Sequence, residues 1–329
     1  MSMQHRRASH RLYLFSVLAL TLAVVCQADA KTEFISIGTG GTGGIYYPYG
    51  GGVAEIWSKY VPGVKAVAEV TGASVENVKL AHKGETVVGE VMGDVAVAGY
   101  EGTSKFKGKK HDILGMAVMY PNLLQVVALK SSGITDIEQV RGRNISTGSP
   151  GSGTNFMAEA VFKALGIGKD DYKDSRLSFT ESANALRDGT IDVGIWSVGP
   201  GTSSILDLAT THDIVILGFT RQQTEKILTA NPTYSDVDLG GGVYRGVDTP
   251  VPTIGVWNVM ICQSGLSTDL VYKLVKALYE HNDYLVKIHP SAAYTTPGNA
   301  VKYSPIPLHP GTIRYLKEQG VAVPASLMP

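Results

Sequence analysis

Cysteine is nearly absent from this sequence, with only Cys26 and Cys262 among 329 residues. Cys26 falls in the N-terminal apolar segment, so a chain processed after that segment has no partner for an intramolecular disulfide. Cys262 ends an apolar run and reads as a buried structural thiol rather than a nucleophile. An excess of charge is missing too: 29 basic side chains face 29 acidic ones. A nucleic-acid-binding surface needs a basic face or stripe, and none is visible. Long apolar runs are lacking: residues 12–25 make one of fourteen, short of the ~20 needed to span a bilayer as a helix. Catalytic patterns are absent as well. There is no G-x-S-x-G, no H-E-x-x-H, and His82, His111, His212, His281, His289 and His309 are scattered. His309, inside Pro307-Leu308-His309-Pro310-Gly311, reads as a structural histidine beside a helix start, and Asp170-Asp171 as solvated charge. No short repeat period argues for a solenoid.

The first thirty residues have the layout of an export signal. Arg6, Arg7 and Arg11 precede the apolar stretch, and Ala28-Asp29-Ala30 offers a small-residue cleavage site. Cleavage near Ala30 would remove three of the 29 basic residues and one of the 29 acidic ones, leaving 26 against 28. The expected fate is export across the inner membrane. Residues 31–329 suffice for two lobes of about 150 residues, each with its own core.

Glycine is abundant and concentrated. Behind the strand-like run 34–37 stands Gly38-Thr39-Gly40-Gly41-Thr42-Gly43-Gly44-Ile45-Tyr46-Tyr47-Pro48. Glycines let backbone amides approach a bound group closely. Gly38, Gly40 and Gly43 satisfy G-x-G-x-x-G, but a dinucleotide site wants the helix to open at the glycines and an acid about 20 residues on. Here Tyr46-Tyr47-Pro48 intervenes, Glu55 comes too early and Glu69 too late. A Walker loop fails because Gly44 stands where lysine is required. A ligand loop without a nucleotide, or a tight strand-to-helix turn, remains.

Strand and helix signals alternate, which argues an α/β protein with mainly parallel sheets. Strands are expected at 34–37, 65–70, 95–98, 144–147, 177–179, 193–196 and 214–217. Helices are expected from Pro48, over 75–82 with Ser74 as N-cap, and over 135–141, 157–165, 182–187 and 268–288, with a last one from Pro310. Residues 113–120 and 123–129 read as two apolar runs broken by Pro121-Asn122, and 231–252 as surface loop. Runs 123–129 and 253–262 are expected to cross between two lobes, enclosing one α/β unit in the sequence of another. In open α/β sheets ligands sit beyond the carboxyl ends of strands. That places the opening loop with Thr39, Gly40 and Tyr46, together with Ser74, Tyr100 and Trp196, at the cleft, with a second glycine loop, Gly148-Ser149-Pro150-Gly151-Ser152-Gly153-Thr154.

The second loop leads directly into a helix, so free amides of the first turn join the hydroxyls of Ser149, Ser152 and Thr154 in an anion-binding end. Helix-dipole attraction contributes about 0.3–1 kcal/mol, whereas each hydrogen bond to a carboxylate contributes about 1.5–3 kcal/mol, so two or three such bonds decide recognition. Tyrosine outnumbers the other aromatics, with 16 Tyr against seven Phe and three Trp. A phenol suits a small polar ligand with a carbon skeleton.

Four ordered motifs carry a resemblance to a known family: Gly38-Thr39-Gly40-Gly41 with Gly44-Ile45-Tyr46-Tyr47-Pro48; Thr71-Gly72-Ala73-Ser74-Val75-Glu76-Asn77; Gly148 to Thr154; and Pro307 to Gly311. Over essentially all of residues 31–329 the chain resembles the TAXI solute-binding proteins, extracytoplasmic receptors of TRAP transporters. The resemblance implies a two-lobed, periplasmic-binding-protein-like (type II) α/β fold, with lobe I formed by 31–122 and 256–329 and lobe II by 123–255. It implies a monomeric receptor without a cofactor, taking a small carboxylate or an amino acid such as glutamate in the interlobe cleft. The partner is a TRAP membrane permease. No arginine lies within the motifs, although Arg141 and Arg143 precede the second loop. Trp196 stands where the family more often has a smaller side chain. Ser149, Ser152, Gly153 and Thr154, opposed by Thr39, Gly40, Tyr46, Ser74 and Asn77, are the expected ligand contacts. An exported enzyme or a ligand sensor on the same scaffold are the competing readings.

Overall fold

The computed structural model describes residues 32–329. The export signal and its cleavage site lie outside the described residues. No described helix is long and apolar enough to cross a membrane.

The chain opens with β1 (Glu33–Gly38), α1 (Tyr46–Tyr60), β2 (Val64–Glu69), α2 (Ser74–Lys83), β3 (Val88–Met92) and α3 (Gly93–Glu101). β1 and β3 pair in parallel. A 16-residue strand follows, β4 (Leu114–Leu129), then β5 (Asn144–Ser146), α4 (Gly153–Ala164), β6 (Lys173–Asp174), α5 (Phe179–Arg187), β7 (Val193–Val198), α6 (Ser203–Thr211), β8 (Ile214–Leu217), α7 (Arg221–Ala230) and β9 (Ser235–Leu239). β5 pairs in parallel with β6 and β7. The chain returns through β10 (Val251–Cys262) and ends in helices α8 (Thr268–Glu280), α9 (Asn282–Ile288), α10 (Pro297–Tyr303) and α11 (Pro310–Glu318).

Strand order is β2-β1-β3-β10-β4-β7-β5-β6, with β8 on β4 and β9 on β10. The antiparallel strands β4 and β10 join the two parallel sets. Residues 114–123 of β4 pair with β10, residues 123–128 with β7, and residues 126–129 also with β8. Two large apolar clusters cover the sheet. Val88, Met260 and Tyr120 belong to one; Val91, Val259 and Ile261 belong to the other. Alternate residues of a strand thus feed opposite faces.

Several expected boundaries are corrected. Pro121 does not break the apolar run: it pairs with Trp257 at a register shift, where the ladder tolerates a residue without an amide hydrogen. Residues 95–98 are helical, in α3, because a short buried helix carries the same unbroken apolar signal as a buried strand. The strand lies just upstream, concealed by Gly89 and Glu90. Phe179 begins a helix rather than ending a strand, capped by the reciprocal Ser178 and Glu181 bonds. The polar interval 231–252 contains β9, an edge strand on β10. Residues 137–140 form only a 3-10 turn, and the 268–288 helix divides at His281. α1 begins at Tyr46, two residues before Pro48, and Ser74 is the first residue of α2 rather than its cap.

Candidate functional site

The strand ends of the two parallel sets enclose a cavity. Its volume is about 70 Å³, well above the ~10–15 Å³ needed to admit a single water. Gly40, Tyr46 and Ser74 line it from the first set, and Ser149, Ser152, Gly153 and Thr154 from the second. These seven expected residues share one space, although they come from loops about a hundred residues apart.

Each wall follows from local chemistry. Ser152 caps α4, its hydroxyl accepting from the Asn155 amide at 3.1 Å. The Gly153 and Thr154 amides stand in the open first turn, where no intrahelical carbonyl is available. Gly148 and Gly151 have φ of +99° and +84°, conformations that glycine adopts without penalty. On the facing wall Ala73 is held at φ +70°, ψ −147°, a region that costs a non-glycine residue about 1–3 kcal/mol. The Thr71 hydroxyl accepts from the Ala73 amide at 3.0 Å and pins it there.

A hydrogen-bonded chain crosses the floor. The Tyr46 hydroxyl donates to Asn258 Oδ1 at 2.6 Å. Asn258 Nδ2 donates to Asn122 Oδ1 and to the Tyr120 carbonyl, each at 2.8 Å. Asn122 Nδ2 donates to the Ser197 carbonyl at 2.9 Å, and the Ser197 amide donates to Thr154 Oγ1 at 3.3 Å. The path runs from α1 through β10, β4 and β7 to α4. Burial raises the Tyr46 phenol well above its ordinary value, so it stays a neutral donor.

Four expected contacts are corrected. Thr39 is fully buried, and its hydroxyl donates to the Glu69 carbonyl at 2.7 Å instead of facing the cavity. Asn77, also fully buried, staples the first set: Nδ2 donates to the carbonyls of Gly38, Thr39 and Glu90, and Oδ1 accepts from Thr71. Tyr100 lies near the end of α3, away from the cavity, because the residues before it are helical. Trp196 points into the core, where its indole donates to Ser204 Oγ at 3.1 Å and stacks near Phe179. Strand parity puts Ser197 on the face opposite Trp196, and Ser197 lines the cavity, as does Val198 at the strand's end.

Arg141 is engaged elsewhere, paired with Asp171 and with Glu138 at 3.3 Å, and Arg143 lies 3.8 Å from Asp192. Among the described residues no Lys, Arg, His, Asp or Glu lines the cavity. Sequence reasoning missed Asn122, Met92, Ser178 and Phe179, which do. The S-x-x-E spacing of Ser178 and Glu181 was a legible signal for a helix start there. Among the described residues no group of three or more His, Cys, Asp or Glu is placed to hold a metal ion.

The walls also touch at the rim. Amides of Val75 and Glu76 donate to the Gly151 carbonyl at 3.0 and 3.3 Å, and hydroxyls of Thr202 and Ser203 donate to the Gly43 carbonyl at 3.3 and 3.4 Å. A Cβ added to Gly153 would lie 2.7 Å from Ser74 Oγ, and one added to Gly43 would overlap the Thr180 hydroxyl. Glycine is what lets the walls approach this closely.

Residues 37–320 match the model of the NMT1-like family. Among solved structures the chain is similar to the putative L-cystine ABC transporter from Listeria monocytogenes, with TM-score 0.51 and 14% identity over 79% of this chain and 95% of that one. It is also similar to a protein from Bordetella bronchiseptica RB50, with TM-score 0.52 and 18% identity over 84% of this chain and 82% of the other. At these identities the likeness shows the fold, which is that of the type II periplasmic binding proteins.

Proposed function

We propose a receptor role for this chain, which belongs to the NMT1-like family: it is a periplasmic solute-binding protein that captures a small anionic solute. Residues 31–122 with 256–329 form one lobe and 123–255 the other, and the protein works as a monomer. The solute is an amino acid such as glutamate or a C4–C5 carboxylate, delivered to a TRAP-type secondary permease. The observation that carries this reading is the cavity itself, closed between two glycine loops, with the open first turn of α4 and the hydroxyls of Ser149 and Ser152 on one wall. The lining is uncharged, and its amides and hydroxyls, set among Ile45, Met92, Phe179 and Val198, bind a carboxylate by directed hydrogen bonds. Closure over the solute forms the surface that a permease recognises.

Thermal shift and calorimetry across small carboxylates and amino acids test this role. Saturable binding with the solute recovered unchanged supports it, and consumption of the solute contradicts it in favour of an exported enzyme. A second reading concerns delivery alone: the similar Listeria protein bears the name of an ABC transporter, which favours an ATP-driven permease. Uptake by whole cells separates the two. Collapse of the ion gradient at constant ATP stops TRAP-type uptake and spares the ATP-driven kind.

A further inference from the structure

Glu90 lies in the middle of β3, fully buried, and neither carboxyl oxygen meets a hydrogen-bond partner among the described residues. The Tyr120 hydroxyl is buried in the same unpartnered condition. A buried carboxyl without a partner is costly, so its environment needs an explanation. Glu90 pairs in register with Met260, two residues along β10 from Asn258, which holds the Tyr46 hydroxyl of the cavity wall. Paired residues and residues two apart on a strand share a face, so Glu90 and Asn258 are diagonal neighbours on one face, roughly 7–8 Å apart along the sheet.

Among the described residues no basic side chain acts on Glu90. An added Cβ on Gly50 would lie 3.1 Å from Glu90 Oε1 and 2.6 Å from Thr39 Cγ2, so α1 packs directly on the carboxyl. The titratable groups near it are Tyr46 and Tyr49 of α1 and Tyr120 of β4, all neutral phenols. Burial alone raises the Glu90 carboxyl well above its usual range. Asp94, at the start of α3, adds a second buried acid near the Tyr46 side, its oxygens accepting from the Val95 amide and the Tyr234 hydroxyl. The cavity thus has an acidic side behind Tyr46 and a donor-rich side at α4.

Resting on the receptor reading above, we infer that the solute supplies the missing counter-charge: Glu90 makes the cavity select solutes carrying an ammonium group beside the acid group. The class is α-amino acids and similar zwitterions, in preference to dicarboxylates or oxoacids of equal size. The solute's carboxylate takes the α4 end and its ammonium the Tyr46 side, toward Glu90. In the empty protein burial favours the protonated form of Glu90. The arriving ammonium favours the carboxylate form, so the Glu90 proton leaves to solvent as the solute binds. A solute without the ammonium binds without that release.

Calorimetry with matched pairs tests this: glutamate against glutarate and against 2-oxoglutarate, and alanine against propionate, in two buffers of different ionisation enthalpy. With the ammonium about 10 Å away, beyond the Tyr46 wall, and an effective dielectric constant of about 20, the charge interaction corresponds to a factor of about 17 in affinity, part of it spent ionising the buried acid. Wild type is expected to favour the amino member of a pair several-fold, with proton release. Glu90→Gln and Glu90→Met should lose both the preference and the release while still binding the member without the amino group, which also reports an intact fold. An unchanged preference in both variants, or a wild-type preference for the deaminated member, overturns this inference alone. If wild type binds no member of any pair, the receptor reading falls with it.

Discussion

Gly153→Ala places a methyl group at the first position of α4, on the wall that meets Ser74 and Met92. The added Cβ would overlap Met92 Sδ and come 2.7 Å from Ser74 Oγ. Methionine can swing aside, but Ser74 is fixed, buried and accepting the Met92 amide at 3.1 Å. Overpacking of this kind costs about 1–3 kcal/mol. If the contact forms only when the lobes close, the cost falls on binding and weakens affinity about 5- to 150-fold. The fold should not suffer, because alanine is favoured over glycine in a helix by about 1 kcal/mol. Calorimetry with a solute that binds wild type, alongside thermal melts without solute, reads both effects. A ligand-free melting temperature that falls while affinity holds would refute the reasoning, because the contact would then be a fixed part of the fold.

Other consequences follow from the same geometry. Tyr46→Phe removes the donor to Asn258 and leaves its Oδ1 unpaired, so stability should fall by about 1–3 kcal/mol in denaturant titration. Arg141→Ala should leave solute affinity unchanged in calorimetry and cost at most about 1 kcal/mol of stability, because its ion pairs are half-exposed and away from the cavity. Asp94 gives a pH signature. Burial lifts its carboxyl to about 6, above the 3.8 of the free side chain. Its contribution to stability is therefore full below about pH 4 and declines as pH rises to about 6. Asp94→Asn mimics the protonated form, so its melts should match wild type near pH 4 and show an advantage of up to about 3 kcal/mol at pH 7. An advantage independent of pH would contradict the assignment.

What the sequence made legible was the backbone framework. Runs of glycine at strand ends and two long apolar stretches mark loops and crossing strands whatever the tertiary context, and seven residues from those loops meet in one cavity. Side-chain direction was not legible. Trp196 and Ser197 are adjacent, yet one fills the core and the other lines the cavity, a parity that only packing decides. Asn77 carries the same hydrogen-bonding groups as a ligand residue but spends them on backbone carbonyls. The floor network was overlooked although its signal was present: Asn122 and Asn258 are amides set in apolar runs, and a buried amide requires partners. Tyr100 was misplaced with its segment, because four apolar residues do not distinguish a buried helix from a buried strand.

The most direct measurement of the central claim is native mass spectrometry of wild type and Gly153→Trp, each purified without denaturation and then incubated with a mixture of amino acids and small carboxylates. Tryptophan at position 153 would fill the cavity, and circular dichroism verifies that the variant is folded. The account predicts a small-solute adduct on wild type that is released on denaturation and is missing from the variant. An equal adduct on the folded variant, or none on wild type, would contradict it.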